Sequence, residues 1–198
     1  MPSQVAALYV QEGGAYFNLE GVDPWPESRD ARLYAGPWPA VAHPPCARWC
    51  RMAGMVEARW GHKKGDDGGT FAAALASVRE FGGVLEHPAY TDAWARFSLP
   101  PPTRGGWTRN LYGPGWVTEV SQSAYGHRAR KRTWLYAVTD CPPALDWSEP
   151  PAQAWCGWGD YDRYRERDRL GKKERNASPV AFRDALLSLA RSSQGVRT

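Results

Sequence analysis

Hydrophobic and polar positions alternate at two different periods along this chain. Over residues 5–45 the apolar runs are short and extended. ALYV and AYFNLEGV flank Gly13-Gly14, which predicts a tight hairpin, and DPWPESRD reads as loop. PAVAHPP predicts a strand that stops at consecutive prolines, because proline cannot donate to a ladder. Residues 46–60 predict a short helix, followed by the polar loop HKKGDDGG. FAAALASVREF then carries apolar residues at helical spacing, with Thr70 as its N-cap and Gly82-Gly83 as its stop. VLEHP follows as a short buried strand and WARFSL as an amphipathic turn.

The second half begins with the loop LPPPTRGGW. WVTEVSQSAYG predicts a strand and a turn, and TWLYAV a strand beyond a run of bases. Residues 139–160 are irregular and rich in Pro and Trp. DYDRYRERDRLGKKER predicts a flexible charged segment over 160–175. Ser178-Pro179 supplies N-cap and N1 signals for a C-terminal helix at about 179–191, with Phe182, Ala185, Leu186 and Leu189 on one face. Strand–helix–strand alternation over 38–90 favours an α/β layered fold, and 198 residues fit one domain spanning 1–198.

Composition narrows the classes. With 42% hydrophobic and 23% charged residues the chain is not wholly disordered. It contains no apolar run of about 18 residues, so no membrane span is expected. The N-terminus lacks a signal-peptide pattern, and the four cysteines include no C-x-x-C pair, so the expectation is a cytoplasmic protein with reduced thiols. Aromatic residues make up 13% at a mean hydropathy of −0.59, which suits a compact core or a face that stacks on flat ligands. Net charge is only +4, yet 20 of the 25 basic residues are Arg. Arg presents a planar fork of donors to phosphates and base edges. A GC-rich coding sequence would produce the same bias.

Three constellations could carry chemistry. In HPPCARWC, Cys46 follows a strand and two prolines, where an open α/β sheet places its ligands and a thiolate could attack an electrophilic carbon. Equally, Cys46 could be an incidental thiol. His43, Cys46 and Cys50 have ligand-like spacing for zinc, but a matching second pair is missing and no metal is expected. In GGVLEHP, Glu86 and His87 end an apolar strand, which makes Glu86 a candidate for a raised pKa and general acid work, or a solvent-facing turn residue. In YGHRARKRTWLY, five of the six residues from His127 to Arg132 are His, Arg or Lys, suited to phosphate contacts or to a solvated face.

In order, these segments resemble the motifs of the cytosine-C5 DNA methyltransferase family. Pro45-Cys46 is similar to its Pro-Cys motif, and Leu85-Glu86-His87 to its Glu-Asn-Val motif. Tyr125 to Arg132 is similar to its basic motif before a strand, and Asn176-Ala177-Ser178-Pro179 to its terminal helix start. Separations of 40 residues from Cys46 to Glu86 and 44 from Glu86 to Arg130 are similar to the family's, and residues 38–138 carry the resemblance best. It implies a three-layer Rossmann-like, methyltransferase-like sheet with helices on both faces, reduced in size. It also implies that Cys46 adds to C6 of a pyrimidine, that Glu86 contacts or protonates N3, and that Arg130 and Arg132 hold the nucleotide and the charge of the adduct. His43, His87, Gln122, Tyr125, His127, Arg128 and Lys131 become candidate contacts to substrate or nucleic acid. Asp23 and Asn176 become contacts to the donor, S-adenosylmethionine.

The family's glycine-rich donor motif has no clear copy here, since AYFNLEGVD reads as a return strand. Only 37 residues, 139–175, stand where a target-recognition region would lie. Two functions follow: an enzyme modifying a pyrimidine in DNA or a nucleotide, or a non-catalytic nucleic-acid-binding protein on a degenerate methyltransferase fold. A zinc-stabilised interaction domain is a third.

Overall fold

Short runs of Ala, Val and Leu form the middle of the sheet. In the computed structural model, which describes residues 4–50, 52–156 and 168–193, β1 (Val5–Leu8) lies next to β3 (Ala40–Ala42), and β3 next to β4 (Gly83–Pro88), all parallel. β2 (Val22–Trp25) pairs in parallel with β1 at one edge. Beyond β4 come β7 (Arg132–Val138), β6 (Trp116–Ser121) and β5 (Thr108–Arg109), each antiparallel to its neighbour. The order is therefore β2-β1-β3-β4-β7-β6-β5. A separate two-stranded pair joins β8 (Ala154–Trp155) to β9 (Asp168–Arg169).

The central strands lack polar positions because both faces are covered. α1 (Ala53–Trp60) and α2 (Thr70–Phe81) connect β3 to β4, and α2 packs on the face to which Ala6, Leu8, Ala40, Ala42 and Leu85 point. α3 (Asp92–Arg96) adds Trp94 to the same core. After α4 (Lys172–Asn176), α5 (Val180–Arg191) buries Phe182, Leu186 and Leu189 against Val5, Ala7, Val41 and Val84 on the opposite face. The fold is mixed α/β, as strand–helix alternation predicts. Among the described residues no helix is long and apolar enough to cross a membrane.

Four local expectations are corrected. β1 and β2 do not form a hairpin: they run parallel, and residues 9–21 carry the chain back through successive turns, Gly14 N to Gln11 O and Phe17 N to Gly14 O. Two-residue periodicity marks extended chain but not its direction. The loop DPWPESRD instead begins inside β2, where Pro24 is tolerated because this strand is the sheet edge, and continues through 3-10 turns at Glu27–Arg29 and Ala31–Leu33. Thr70 does not cap α2. The carboxylate of Asp67 does, accepting from Gly69 N at 2.9 Å and Phe71 N at 2.8 Å. At the start of α5 no side chain makes a capping bond, and the helix begins at Val180 behind Pro179.

Within the charged stretch 160–175, residues 160–167 lie outside the described residues. The remainder is ordered into β9 and α4, because Arg128 ties it down through Asp168 at 3.2 Å and Glu174 at 3.0 Å. Gly83 is a position where glycine is required. Its φ is 108°, and a Cβ there would run into the backbone of Ala40 in the neighbouring strand.

Candidate functional site

Parallel pairing of β3 and β4 sets Ala42 opposite Leu85, so the residues that follow, His43 and Glu86, emerge side by side at the carboxyl ends of the strands. The connection from β1 leads to one side of the sheet and that from β3 to the other. The carboxyl ends of β1 and β3 therefore flank a topological switch point, where open α/β sheets bind ligands. Tyr16, from the β1–β2 connection, reaches into it.

The side chains form a hydrogen-bonded chain. Tyr16 Oη lies 2.8 Å from His43 Nε2, and His43 Nδ1 lies 2.9 Å from Glu86 Oε2. His43 thus bridges the Tyr16 hydroxyl and the Glu86 carboxylate through its two ring nitrogens. On the other side Gln122, fully buried in the 3-10 turn after β6, donates to Thr133 Oγ1 at 2.9 Å and makes a long 3.5 Å contact to Glu86 Oε1. One carboxylate oxygen is thus held firmly and the other loosely.

Electrostatics then assign protonation states. Burial pushes Glu86 up, but the His43 hydrogen bond and the charges of His43, Lys131 and His87 outweigh it, and the carboxyl sits below its ordinary value. This corrects the expectation of a raised pKa: Glu86 is ionised at neutral pH, an acceptor rather than a proton donor. Burial pushes the Tyr16 phenol up, with the Glu86 charge adding to it. Cys46 sits in a tight turn whose carbonyl accepts from Trp49 N and Cys50 N, and its thiol is free. Burial raises the Cys46 pKa, the Glu86 and Cys50 charges raise it further, and Lys131 pulls it down. Glu86 and Lys131 therefore both act on Cys46, and Lys131 acts on Glu86.

Hydrogen bonds join His43 and Gln122 to Glu86, whereas Cys46 and Lys131 bear on it only through their charges. The other candidates lie elsewhere. In β7 the pleat sends Thr133 toward Gln122 and Arg132 to the opposite face, where Trp134 also points. There Arg132 pairs with Glu149 at 3.2 Å and Glu119 at 3.7 Å, and Arg130 with Glu149 at 2.9 Å. The cation beside Glu86 is thus Lys131, not Arg130 or Arg132. The same pleat separates His87 from Glu86. His87 is fully buried against Phe71 and Trp94 and contacts no cleft.

His127 is buried with Nδ1 2.9 Å from Ala129 O, and the Tyr125 hydroxyl accepts from Asp146 N at 2.9 Å, so both hold loops in place. Arg128 is spent on Asp168 and Glu174. Asn176 is exposed at the end of α4, although the Ala177 carbonyl beside it accepts from Lys131 Nζ at 3.1 Å. Asp23 accepts from Arg29 at 2.6 Å and Trp25 Nε1 at 2.8 Å. For zinc, no group of three or more His, Cys, Asp or Glu side chains converges among the described residues, and both His43 nitrogens are taken.

Two participants had no sequence signal. Tyr16 lies in an apolar run that reads as strand, and Thr133 is one of many strand threonines. Compared with protein-family models, with curated proteins and with solved structures, the chain finds no match.

Proposed function

We propose that the chain is a pyrimidine-modifying enzyme resembling the cytosine-C5 DNA methyltransferases, acting on DNA or a pyrimidine nucleotide. The observation that carries this reading is Glu86, held by His43 and Gln122 at the carboxyl ends of β3 and β4, with Cys46 three residues beyond His43. A parallel half sheet extended by antiparallel β7, with helices on both faces, supports a reduced Rossmann-like, methyltransferase-like fold.

In this reading the ionised Glu86 accepts a hydrogen bond from an N–H of the base at its loosely held Oε1 and orients the ring over Cys46. The thiol proton passes to solvent and the thiolate forms an Sγ–C6 bond. The C5=C6 π pair moves onto C5, where Lys131 stabilises the developing negative charge, and a proton from solvent then completes the adduct. Reversal with loss of the original C5 hydrogen exchanges that hydrogen for one from water.

The residues expected to hold S-adenosylmethionine do not fit it. The Asp23 carboxylate is engaged by Arg29 and Trp25, and Gly13-Gly14 leads into turns rather than a helix N-terminus that could face a ligand. No step is routed through that donor.

An oligonucleotide carrying tritium at cytosine C5 tests the reading. Wild-type protein releases tritium to water, faster as pH rises because the thiol is held protonated, and Cys46→Ser does not. Release by Cys46→Ser at the wild-type rate refutes it. Binding without chemistry is the second reading, favoured by the raised Cys46 pKa and the occupied Asp23. It requires that the wild type binds the oligonucleotide and releases nothing.

A further inference from the structure

We infer that the groove between α3 and the 110–114 turn is a stacking site for an unpaired nucleobase, so that the ligand of this protein is a single-stranded polynucleotide rather than a free nucleotide. The inference deepens the proposed function by naming its substrate class, and it stands on a different part of the surface.

The groove encloses about 420 Å³, within the usual range for small-molecule sites. Trp94, Trp134, Leu99, Pro100 and Tyr112 are among the residues that line it. Its walls are therefore flat rings and apolar edges. Trp94 is only 1% exposed, and its Nε1–H has no hydrogen-bond partner. A buried donor left unpaired costs about 1–3 kcal/mol, which a ligand acceptor can recover. Tyr112 is 74% exposed, yet its turn is fixed: Tyr112 N donates to Asn110 Oδ1 at 3.1 Å and Asn110 Nδ2 donates to Pro114 O at 3.2 Å. A largely exposed phenol on a fixed turn at the groove can offer its π-face to a ligand.

The charges beside the groove suit a phosphate backbone. Trp134 Nε1 donates to Glu119 at 2.8 Å, and Arg104 reaches the same carboxylate at 2.8 Å. Arg132 spans Glu119 and Glu149, and Arg130 completes the cluster. Three guanidiniums face two carboxylates, which leaves one net positive charge next to the aromatic interior. The Arg104 side chain is 54% exposed and so can meet a phosphate.

The groove is also joined to the Cys46 turn. Thr91 Oγ1 and Asp92 N both donate to Trp49 O, and Trp49 N donates to Cys46 O. The segment leaving β4 is therefore tied to the Cys46–Cys50 turn through the Trp49 backbone. A nucleobase in the groove would stack on aromatic rings, which tolerates any base, while the strand's phosphates meet the Arg104 cluster.

Fluorescence anisotropy with labelled dC12 and rC12, and competition by dCMP, tests the site. Tyr112→Ala is expected to weaken oligonucleotide binding roughly 5- to 150-fold, while Tyr112→Phe binds as wild type and dCMP competition at the Cys46 site is unchanged. Arg104→Gln is expected to lower the salt slope by about one. Loss with either oligonucleotide supports the site, and the tighter of the two identifies the sugar. Oligonucleotide affinity unchanged in Tyr112→Ala, or no tighter than that of dCMP, overturns the inference. Anisotropy reads binding alone, so failure of the covalent chemistry is read separately by tritium release.

Discussion

His87 offers the cleanest quantitative test of how the sheet partitions its side chains. Its ring is fully buried, edge-on to Phe71 at 5.2 Å and stacked on Trp94 at 6.3 Å. Neither ring nitrogen makes a well-formed side-chain or backbone hydrogen bond, the Pro45 backbone being its polar neighbour. Burial pushes its pKa down from 6.5 to about 4, against the opposing pull of the Glu86 charge, the Pro45 backbone and the Asp67 charge. An unfolded chain takes up this proton near pH 6.5, whereas the folded chain resists until about pH 4. Between the two the unfolded state holds the extra proton, so the contribution is fully present above pH 6.5 and lost as pH falls toward 4. At about 1.4 kcal/mol per pH unit, the loss is roughly 3 kcal/mol.

His87→Leu removes the titration and keeps the site apolar. Urea unfolding followed by tryptophan fluorescence from pH 7.5 to 4 should show the variant gaining about 3 kcal/mol on the wild type over that range. Glu86, whose pKa is lowered, contributes stability that is present above its ordinary value and lost as pH falls below it. That loss begins only below the ordinary carboxylate value, at the acid end of the range, so the difference above it reports His87. Parallel pH profiles for the two proteins would refute the burial argument. If His87→Leu also abolished oligonucleotide binding, the assignment of His87 to the core rather than to the cleft would fail with it.

Two further outcomes follow from the same geometry. Because burial and Glu86 keep the Cys46 thiol protonated, iodoacetamide should modify the exposed Cys141 first, and its rate at Cys46 should rise about tenfold per pH unit below the thiol pKa. Lys131→Met removes a cation that lowers the Cys46 pKa and should slow that alkylation several-fold; equal rates by peptide mass mapping contradict the arrangement. Gly83→Ala forces a Cβ into the Ala40 backbone at a φ of 108° and should cost roughly 2–5 kcal/mol, read as a lowered Tm. An unchanged Tm would show that β3 and β4 do not approach this closely.

Much of the scaffold was legible locally. α2, β4, β6, β7 and the C-terminal helix each follow from the periodicity of six to twelve consecutive residues, because an amphipathic helix or a buried strand writes its own period into its sequence. The order Pro-Cys, Glu, basic run likewise points to Cys46, Glu86 and the basic stretch, though to Arg130 and Arg132 rather than Lys131 within it.

What tertiary structure alone decided was direction, face and charge state. The parallel sense of β2 depends on where residues 9–21 carry the chain, and no two-residue period records that. Glu86 and His87 are neighbours in sequence, yet the pleat sends one to the Tyr16–His43 chain and the other into the aromatic core. The same alternation gives the cleft Lys131 and turns Arg130 and Arg132 toward Glu149. Tyr16 meets His43 across 27 residues, and Gln122 meets Glu86 across 36. Ionisation was the least legible property of all. A carboxylate keeps its charge, or a thiol its proton, according to the water removed from it and the charges brought near it, and both are set by contacts between segments far apart in the chain.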